Sequence, residues 1–311
     1  MLTSRQRDEL GPYAWEEQMP NWLYKQLDKG PNVTTVNRLG RDGRLQRHEV
    51  VENQTPGIVP VLAQLCAADR SVEEAYLCHP SVQHVGKMAR EGSFCGYRNI
   101  QMLISYIQGA AARGHDRFPG RVPGILRLQD AIERAWDKGI NDIGRAQTGG
   151  IKGTRKYIGT PEVDVAPISL QRFSEAHCIQ AQALCLSLSI PCDVNVFSDK
   201  PNGPQAYEQL LSAVEQYFEP AVRDADFKVH KTLLPPIYLQ QPGHSLTIVG
   251  LEKRRDGTSN LLAFDPTFRT SPSMNALVGR SSIRTARPEV LGAYRRGQAQ
   301  LRRHRDFEVL M

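Results

Sequence analysis

The chain has 311 residues, 40% of them hydrophobic and 23% charged, enough for a substantial core in one large domain or two modest ones. No apolar run approaches the roughly 20 residues that cross a bilayer, and Met1 to Asp8 hold no apolar segment, so neither a membrane span nor an export signal is expected. The net charge of +6 is confined almost entirely to the segment Arg280 to Arg305, which excludes a broadly basic, nucleic-acid-coating protein.

Residues 1 to about 45 read as an N-terminal helical arm. Tyr13 to Leu27 has helical character interrupted by Pro20, with Trp15, Met19, Trp22, Leu23 and Leu27 as an apolar stripe and Gly30-Pro31 as its stop. Such an arm either packs on the main body or seats part of a protein partner. Val33 to Val51 alternates like two strands around a polar turn at Arg41-Asp42-Gly43, and Ile58 to Leu65 resembles a short helix. Gly92-Ser93-Phe94 leads into Cys95, after which Ile100, Leu103, Ile104 and Ile107 follow the spacing of a helix with one buried face. Cys95 is therefore expected at a helix N-terminus, where unpaired N–H groups and the helix dipole favour a thiolate. It is either a nucleophile or a small buried residue.

Pro123 to Lys138 predicts a helix, with Ile125, Leu128, Ile132 and Trp136 on one face and Gly139 as its stop. The Gly-rich run Gly144 to Gly159 lacks the pattern of a phosphate loop. Ala181 to Ser189 predicts a buried helix, Cys192 to Phe197 a strand, and Pro204 to Phe218 an amphipathic helix opened by proline. Strands follow at Ile237 to Gln240, Ser245 to Leu251 and Asn260 to Phe264, then a helix from about Pro288 to Arg302 and a closing strand at Phe307 to Met311. Helices first and strands afterwards predict an α+β fold rather than a doubly wound sheet. Between Arg280 and Arg305, eight arginines face one acid, Glu289, which makes a solvated helix face or a contact for phosphates or an acidic protein. Tyr294 is the one aromatic residue among them, so a nucleic-acid partner is not expected.

The strand 245–251 and the strand ending at Asp265-Pro266 are joined by a polar turn containing Asp256-Gly257 and pair antiparallel. That pairing sets His244 beside Asp265 at one end of the hairpin. A thiolate nucleophile needs a base, and the base needs an orienting acceptor. Cys95, His244 and Asp265 supply the three, and the Gln240 amide, with the backbone N–H of Cys95, is a candidate donor to an oxyanion. The other cysteines and histidines are weaker candidates: Cys66, Cys78, His79 and His84 make no C-x-x-C pair for a structural zinc. Six cysteines in so long a chain form no disulfide framework and read as reduced thiols of cytosol or nucleus.

The runs F-C-G-Y-R-N-I-Q-M-L, P-P-I-Y-L-Q-x-x-G-H-S and L-L-x-F-D-P resemble the ZUFSP family of ubiquitin isopeptidases, fungal members in particular. These are papain-like cysteine proteases related to the proteases of the ubiquitin-fold modifier. The resemblance implies a papain-like domain over 46–311, with its nucleophile at the N-terminus of a helix packed against an antiparallel sheet that carries His and Asp. It implies Cys95 as nucleophile, His244 as base, Asp265 as orienter and Gln240 in the oxyanion hole, with no metal and no cofactor. Tyr157-Ile158-Gly159-Thr160-Pro161-Glu162 is similar to a family motif whose first and last positions contact the ubiquitin tail, which implies Tyr157 and Glu162 as ubiquitin contacts, with Asp142 as a looser candidate. The modifier proteases carry Asp-Pro-His and use that histidine as base; here the run is Asp265-Pro266-Thr267, so His244 must serve, which favours ubiquitin over the modifier. Two departures stand out. The family's N-terminal zinc fingers have no counterpart, and Val163 to Gln180 intervenes without periodicity, as an insertion or a retained intron. The expected protein is a monomeric deubiquitinating cysteine protease acting on polyubiquitin. The alternatives are a protease of the ubiquitin-fold modifier and a weakly active ubiquitin-binding module.

Overall fold

A computed structural model describes residues 12–39, 43–158, 179–222 and 226–311. Glu162 and nearly all of the segment 163–180 lie outside them. In chain order the main elements are α1 (Asn21–Lys29), β1 (Val33–Leu39), β2 (Leu45–Val51), β3 (Gln54–Thr55), α2 (Ile58–Ala68), β4 (Val72–Leu77), β5 (His84–Val85), α3 (Cys95–Gly109), α4 (Ile125–Asp137) and α5 (Ile143–Thr148). There follow α6 (Ile179–Ser187), β6 (Val194–Ser198), α7 (Ala206–Phe218), β7 (Val229–Lys231), β8 (Ile237–Gln241), β9 (His244–Arg254) and β10 (Ser259–Phe264). The chain closes with α8 (Pro272–Asn275), α9 (Pro288–Gly292), β11 (Arg295–Gly297), α10 (Gln298–Leu301) and β12 (Asp306–Leu310).

Helices dominate the first half and a sheet, antiparallel except for the β4–β7 pair, the second, the α+β arrangement expected. The sheet runs β11-β10-β9-β8-β12-β6, and β9 organises it. One edge of β9 is shared: His244 to Ile248 pair with β8, and Gly250 to Arg254 pair with β4. Its other edge carries β10. The sharing requires a backbone approach that excludes a side chain at Gly250, since a Cβ there would lie 2.2 Å from the Tyr76 carbonyl oxygen.

Two apolar clusters flank the nucleophile helix. The larger joins the sheet to α2 and α7 through residues such as Leu62, Leu210, Phe218, Leu239 and Ile248. The second joins α1, α3, α4 and α6 through Leu23, Ile100, Ile104, Ile132 and Leu184. α3 belongs to both: Met102 enters the sheet cluster, while Tyr97, Ile100 and Ile104, with Phe94 just before the helix, enter the helical one. Each such side chain taken fully out of water contributes roughly 1.5–3 kcal/mol, so the start of α3 is fixed between two packed halves.

Four expectations from the sequence differ in the structure. The stripe expected in the arm is split, because Pro20 stands at the start of α1: Met19, Leu23 and Leu27 are buried, while Trp15 and Trp22 remain half exposed. The single helix expected from Pro288 to Arg302 is broken by β11, which pairs with β10 at Asn260 to Leu262. The free edge of β10 there outweighs helical propensity. Two arginines of the basic strip, Arg295 and Arg296, consequently turn inward rather than line a solvated face, while Arg302 stays exposed. Arg295 pairs with Asp69 and Glu252, Arg296 with Asp265, and Arg302 bonds the Tyr207 hydroxyl. The helix expected from Pro204 instead begins at Ala206, where Gln205 and Glu208 form a reciprocal cap.

Candidate active site

Cys95 is the first residue of α3 and is 2% exposed. The register of the helix is tied to the sheet by one side chain: Asn99 donates to the Cys95 carbonyl at 2.8 Å and accepts from the Thr247 hydroxyl at 2.7 Å. Thr247 lies three residues along β9 from His244, so this bridge sets the nucleophile against the strand that carries the imidazole. The loop before Cys95 is held by a buried ion pair, in which Arg98 donates through Nε to Glu91 at 2.9 Å while Glu91 accepts from the Met88 N–H at 2.8 Å.

His244 opens β9, and Asp265 follows the last residue of β10. His244 Nε2 lies 2.9 Å from Asp265 Oδ1. A carboxylate only accepts, so Nε2 carries a proton and Nδ1 is the nitrogen left to exchange one with the neighbouring thiol, whose influence on the imidazole is felt in its titration. Asp265 is itself held at several points. Its Oδ1 also accepts from the Thr267 N–H at 2.9 Å and the Thr267 hydroxyl at 2.6 Å, and its Oδ2 accepts from Arg296 at 3.1 Å. Beneath it the buried His84 ring donates through Nε2 to the Asp265 carbonyl at 2.9 Å.

The electrostatics follow from these partners. Burial alone would push the Cys95 thiol upward, but the His244 imidazole, the Tyr157 hydroxyl and Ser245 bring it down to about 7. Burial would lower His244, yet the Asp265 carboxylate and the Cys95 sulfur raise it to about 9. Burial also opposes ionisation of Asp265; His244 and Thr267 outweigh it and hold the carboxyl well below the usual carboxylate range. Between about 7 and about 9 the resident state is a thiolate–imidazolium pair, the charge form that a cysteine peptidase uses to attack a carbonyl.

Gln240 lies on β8, paired in register with Ser245 on β9. Its Oε1 accepts from the Ser245 hydroxyl at 2.7 Å and from the Tyr238 hydroxyl at 3.2 Å. The Cys95 sulfur is 3.7 Å from Ser245 Oγ and 3.6 Å from the Tyr157 hydroxyl oxygen. The Tyr157 hydroxyl thus lies beside the sulfur, on a side chain that is partly exposed. The segment bearing it crosses the start of α3 so closely that a Cβ on Gly96 would meet Ile158 at 2.8 Å. Asp142 is exposed at the N-terminal end of α5 and is not among the groups hydrogen-bonded around Cys95. Glu162 lies outside the described residues. Among those residues no group of three or more His, Cys, Asp or Glu side chains is arranged to hold a metal ion.

Sequence reasoning passed over Ser245, Tyr238, Arg296 and Asn99, and read Thr267 only as a position without a histidine, not as a donor to Asp265. A signal existed for two of them. Tyr238 and Gln240 share a face of one strand by period-two alternation, and Ser245 is the residue that a tight hairpin sets opposite Gln240.

The chain matches peptidase family C78 over residues 71–310. It is 35% identical over 181 residues to a bovine protein named Zinc finger-containing ubiquitin peptidase 1, a match covering 57% of this chain and 27% of that one. The human protein of the same name is 30% identical over 219 residues, covering 69% of this chain and 34% of that one. Ubiquitin carboxyl-terminal hydrolase mug105 of Schizosaccharomyces pombe is 31% identical over 158 residues, covering 50% of this chain and 53% of that one. The chain therefore spans about a quarter to a third of the mammalian relatives it matches. A solved structure of UfSP from C. elegans aligns with a TM-score of 0.44 at 12% identity over 78% of this chain and 34% of that one.

Proposed function

Because the chain belongs to peptidase family C78, we propose that it hydrolyses the isopeptide bond after the C-terminal glycine of ubiquitin, most naturally in polyubiquitin chains. The observation that carries the reading is the buried Cys95 at the start of α3 beside the part-buried His244–Asp265 pair, joined at 2.9 Å, in a chain whose relatives are named for ubiquitin. In acylation the Cys95 thiolate attacks the glycine carbonyl. A carbon–sulfur bond forms, the carbonyl electrons move to oxygen, and collapse expels the lysine amine, which takes its proton from His244 Nδ1. In deacylation His244 removes a proton from water, hydroxide attacks the thioester, and the thiolate leaves with the proton retained on the imidazole. Asp265 keeps His244 in one tautomer throughout. The free thiols at Cys66, Cys78, Cys95, Cys185 and Cys192 support a reducing compartment, cytosol or nucleus.

Position 267 favours ubiquitin over the ubiquitin-fold modifier. Thr267 gives both its N–H and its hydroxyl to Asp265, so no histidine at that position competes with His244. The test is parallel turnover of linked diubiquitin and of a conjugate of the ubiquitin-fold modifier. Cleavage of the first alone is expected; cleavage of the second alone replaces the substrate, and cleavage of neither by folded protein replaces the enzyme with a binding module.

The pair also predicts a pH profile. Activity needs deprotonated Cys95 and protonated His244 together. kcat/KM should therefore rise as pH increases through about 7, where the thiolate forms, and fall as pH passes about 9, where the imidazolium is lost. The rate of Cys95 alkylation against pH reports the lower limb without any substrate, and a single limb near the ordinary thiol value would refute the pair.

A further inference from the structure

We propose that four exposed cations at one end of the sheet, Arg269, Arg303, Arg305 and Lys200, form a docking rim for the protein that carries the cleaved lysine, and that the rim selects lysines set among carboxylates. The inference rests on the proposed isopeptidase reading, with His244 as the group that protonates the leaving amine. It gives the basic run near the C-terminus a role, and it concerns the side of the scissile bond away from the ubiquitin tail.

The placement follows from the sheet. Strands β10, β9, β8, β12 and β6 alternate in direction, so the end of β10, the start of β9, the end of β8, the start of β12 and the end of β6 lie together. Asp265 and His244 stand at that end, and so do Asp306 and Ser198. Gln241 pairs with His244, and Glu308 pairs with Gln240. The chain entering β12 therefore passes two strands from the imidazole, about 10 Å at the usual strand spacing. That chain is the turn Arg302 to Arg305. Arg269 stands on the other flank. Phe268, just before it, stacks on His84 at 5.0 Å and meets the ring of Tyr294, which leads into β11 on the edge of β10 away from β9. The catalytic pair thus lies between Arg269 and the turn. Both flanks are fastened before any partner arrives. The Thr270 hydroxyl lies 3.1 Å from His84 Nδ1, the Asp199 N–H donates to the Arg305 carbonyl at 3.0 Å, and the Arg302 guanidinium sits over the Tyr207 ring at 5.0 Å.

The charges themselves are unspent. Arg269, Arg303, Arg305 and Lys200 make no ion pair and no side-chain hydrogen bond among the described residues. Other surface arginines do find carboxylates, as Arg121 finds Glu49 and Arg145 finds Glu133 and Asp137. The acids nearest the rim do not neutralise it: Asp199 accepts from the Ala206 N–H at 2.8 Å at the start of α7, and Asp306 forms no ion pair among the described residues. Burial, and then the positive charges of His244 and Arg303, lower the His304 imidazole, so the cationic field extends to the site. The amine that takes the His244 proton stays attached to its protein, and a lysine side chain is short. The surface of that protein therefore lies against this end of the sheet when the bond breaks. Carboxylates around the lysine meet unpaired cations there, and further lysines are repelled. Such rim charges act on encounter rate and on the choice between partners. A nucleic acid suits the rim less well, because Phe268 and Phe307, the aromatic residues beside the two turns, are engaged with His84 and His304 and leave none for base stacking.

The test uses substrates that differ only on the lysine side: ubiquitin isopeptide-linked to a synthetic peptide of acidic, neutral or basic sequence. A fluorogenic ubiquitin C-terminal amide, which has no acceptor surface, serves as reference. At low salt the acidic conjugate should exceed the basic one in kcat/KM by about tenfold or more, and the gap should close as salt rises. Arg303→Glu combined with Arg305→Glu should invert that order, while amide turnover stays within about twofold and the melting temperature holds, since both side chains are solvated. Arg269→Glu, on the other flank, should weaken the preference independently. A wild-type protein that turns over the three conjugates equally overturns the proposal. So does a double variant that loses the amide and every conjugate alike, because the turn then supports the site rather than the partner. A labelled single-stranded oligonucleotide held by the wild type at about 0.15 M salt and released by the double variant, with no preference among the peptides, assigns the rim to nucleic acid instead. A folded wild type inactive on the amide removes the proposed function and this inference with it; an active one without preference removes the inference alone.

Discussion

Asp265→Asn is expected to lower kcat on the order of 10⁴-fold while the protein stays folded. The reason lies in how many donors the carboxylate serves. Oδ1 takes His244 and both Thr267 donors, and Oδ2 takes Arg296. An amide offers one oxygen and one NH₂ group in their place. With the oxygen toward Arg296, the NH₂ faces His244 Nε2 and selects the tautomer protonated on Nδ1, which cannot accept the thiol proton. With the oxygen toward His244, the NH₂ faces a guanidinium and the Arg296 contact is lost. In both arrangements the imidazolium loses its neighbouring negative charge, so the His244 value should fall from about 9 and the thiolate should become scarcer at neutral pH. Steady-state turnover with the alkylation rate of Cys95 measures both parts. An asparagine variant within tenfold of wild type in kcat would mean that Asp265 has no orienting role.

Cys95→Ala should remove turnover almost completely, by about 10⁶-fold, leaving only what substrate binding and the remaining donors accomplish. The residue touches both halves of the molecule, yet the exchange is small. Asn99 bonds the Cys95 carbonyl rather than the sulfur, and the Glu91–Arg98 pair fixes the preceding loop independently. Thermal melting should therefore move little. Removing the sulfur also removes one of the two partners that raise His244, so the imidazole should titrate lower in the variant; an NMR titration of that ring checks it. A variant that melts early instead would make Cys95 chiefly a packing residue.

The centre of the site was legible because it depends on local rules. Cys95 stands where a helical stripe starts, and His244 and Asp265 sit at the ends of two strands joined by a turn, so chain geometry alone brings the last two together. A β-bulge between Leu262 and Ala263 shifts the register by one residue without separating them. Other parts depend on contacts between distant segments. Tyr157 belongs to a stretch with no periodicity, and its direction is set by the arm and by the glycine at 96, more than a hundred residues and about sixty residues away. Arg295 and Arg296 looked like a solvated face because a run of arginines carries no mark of which acid each will meet; their partners, Asp69, Glu252 and Asp265, come from three separate elements. β4 was passed over because its pairing with β9 depends on Gly250, whose missing side chain shows its purpose only once Tyr76 is beside it.

The most direct test of Cys95 as the nucleophile is to expose the folded protein to full-length ubiquitin bearing a C-terminal electrophile and to map the adduct by mass spectrometry. One ubiquitin should attach per chain, at Cys95, with the yield following the thiolate fraction as pH rises through about 7. Attachment at another cysteine, or no attachment to protein that melts cooperatively, would contradict it.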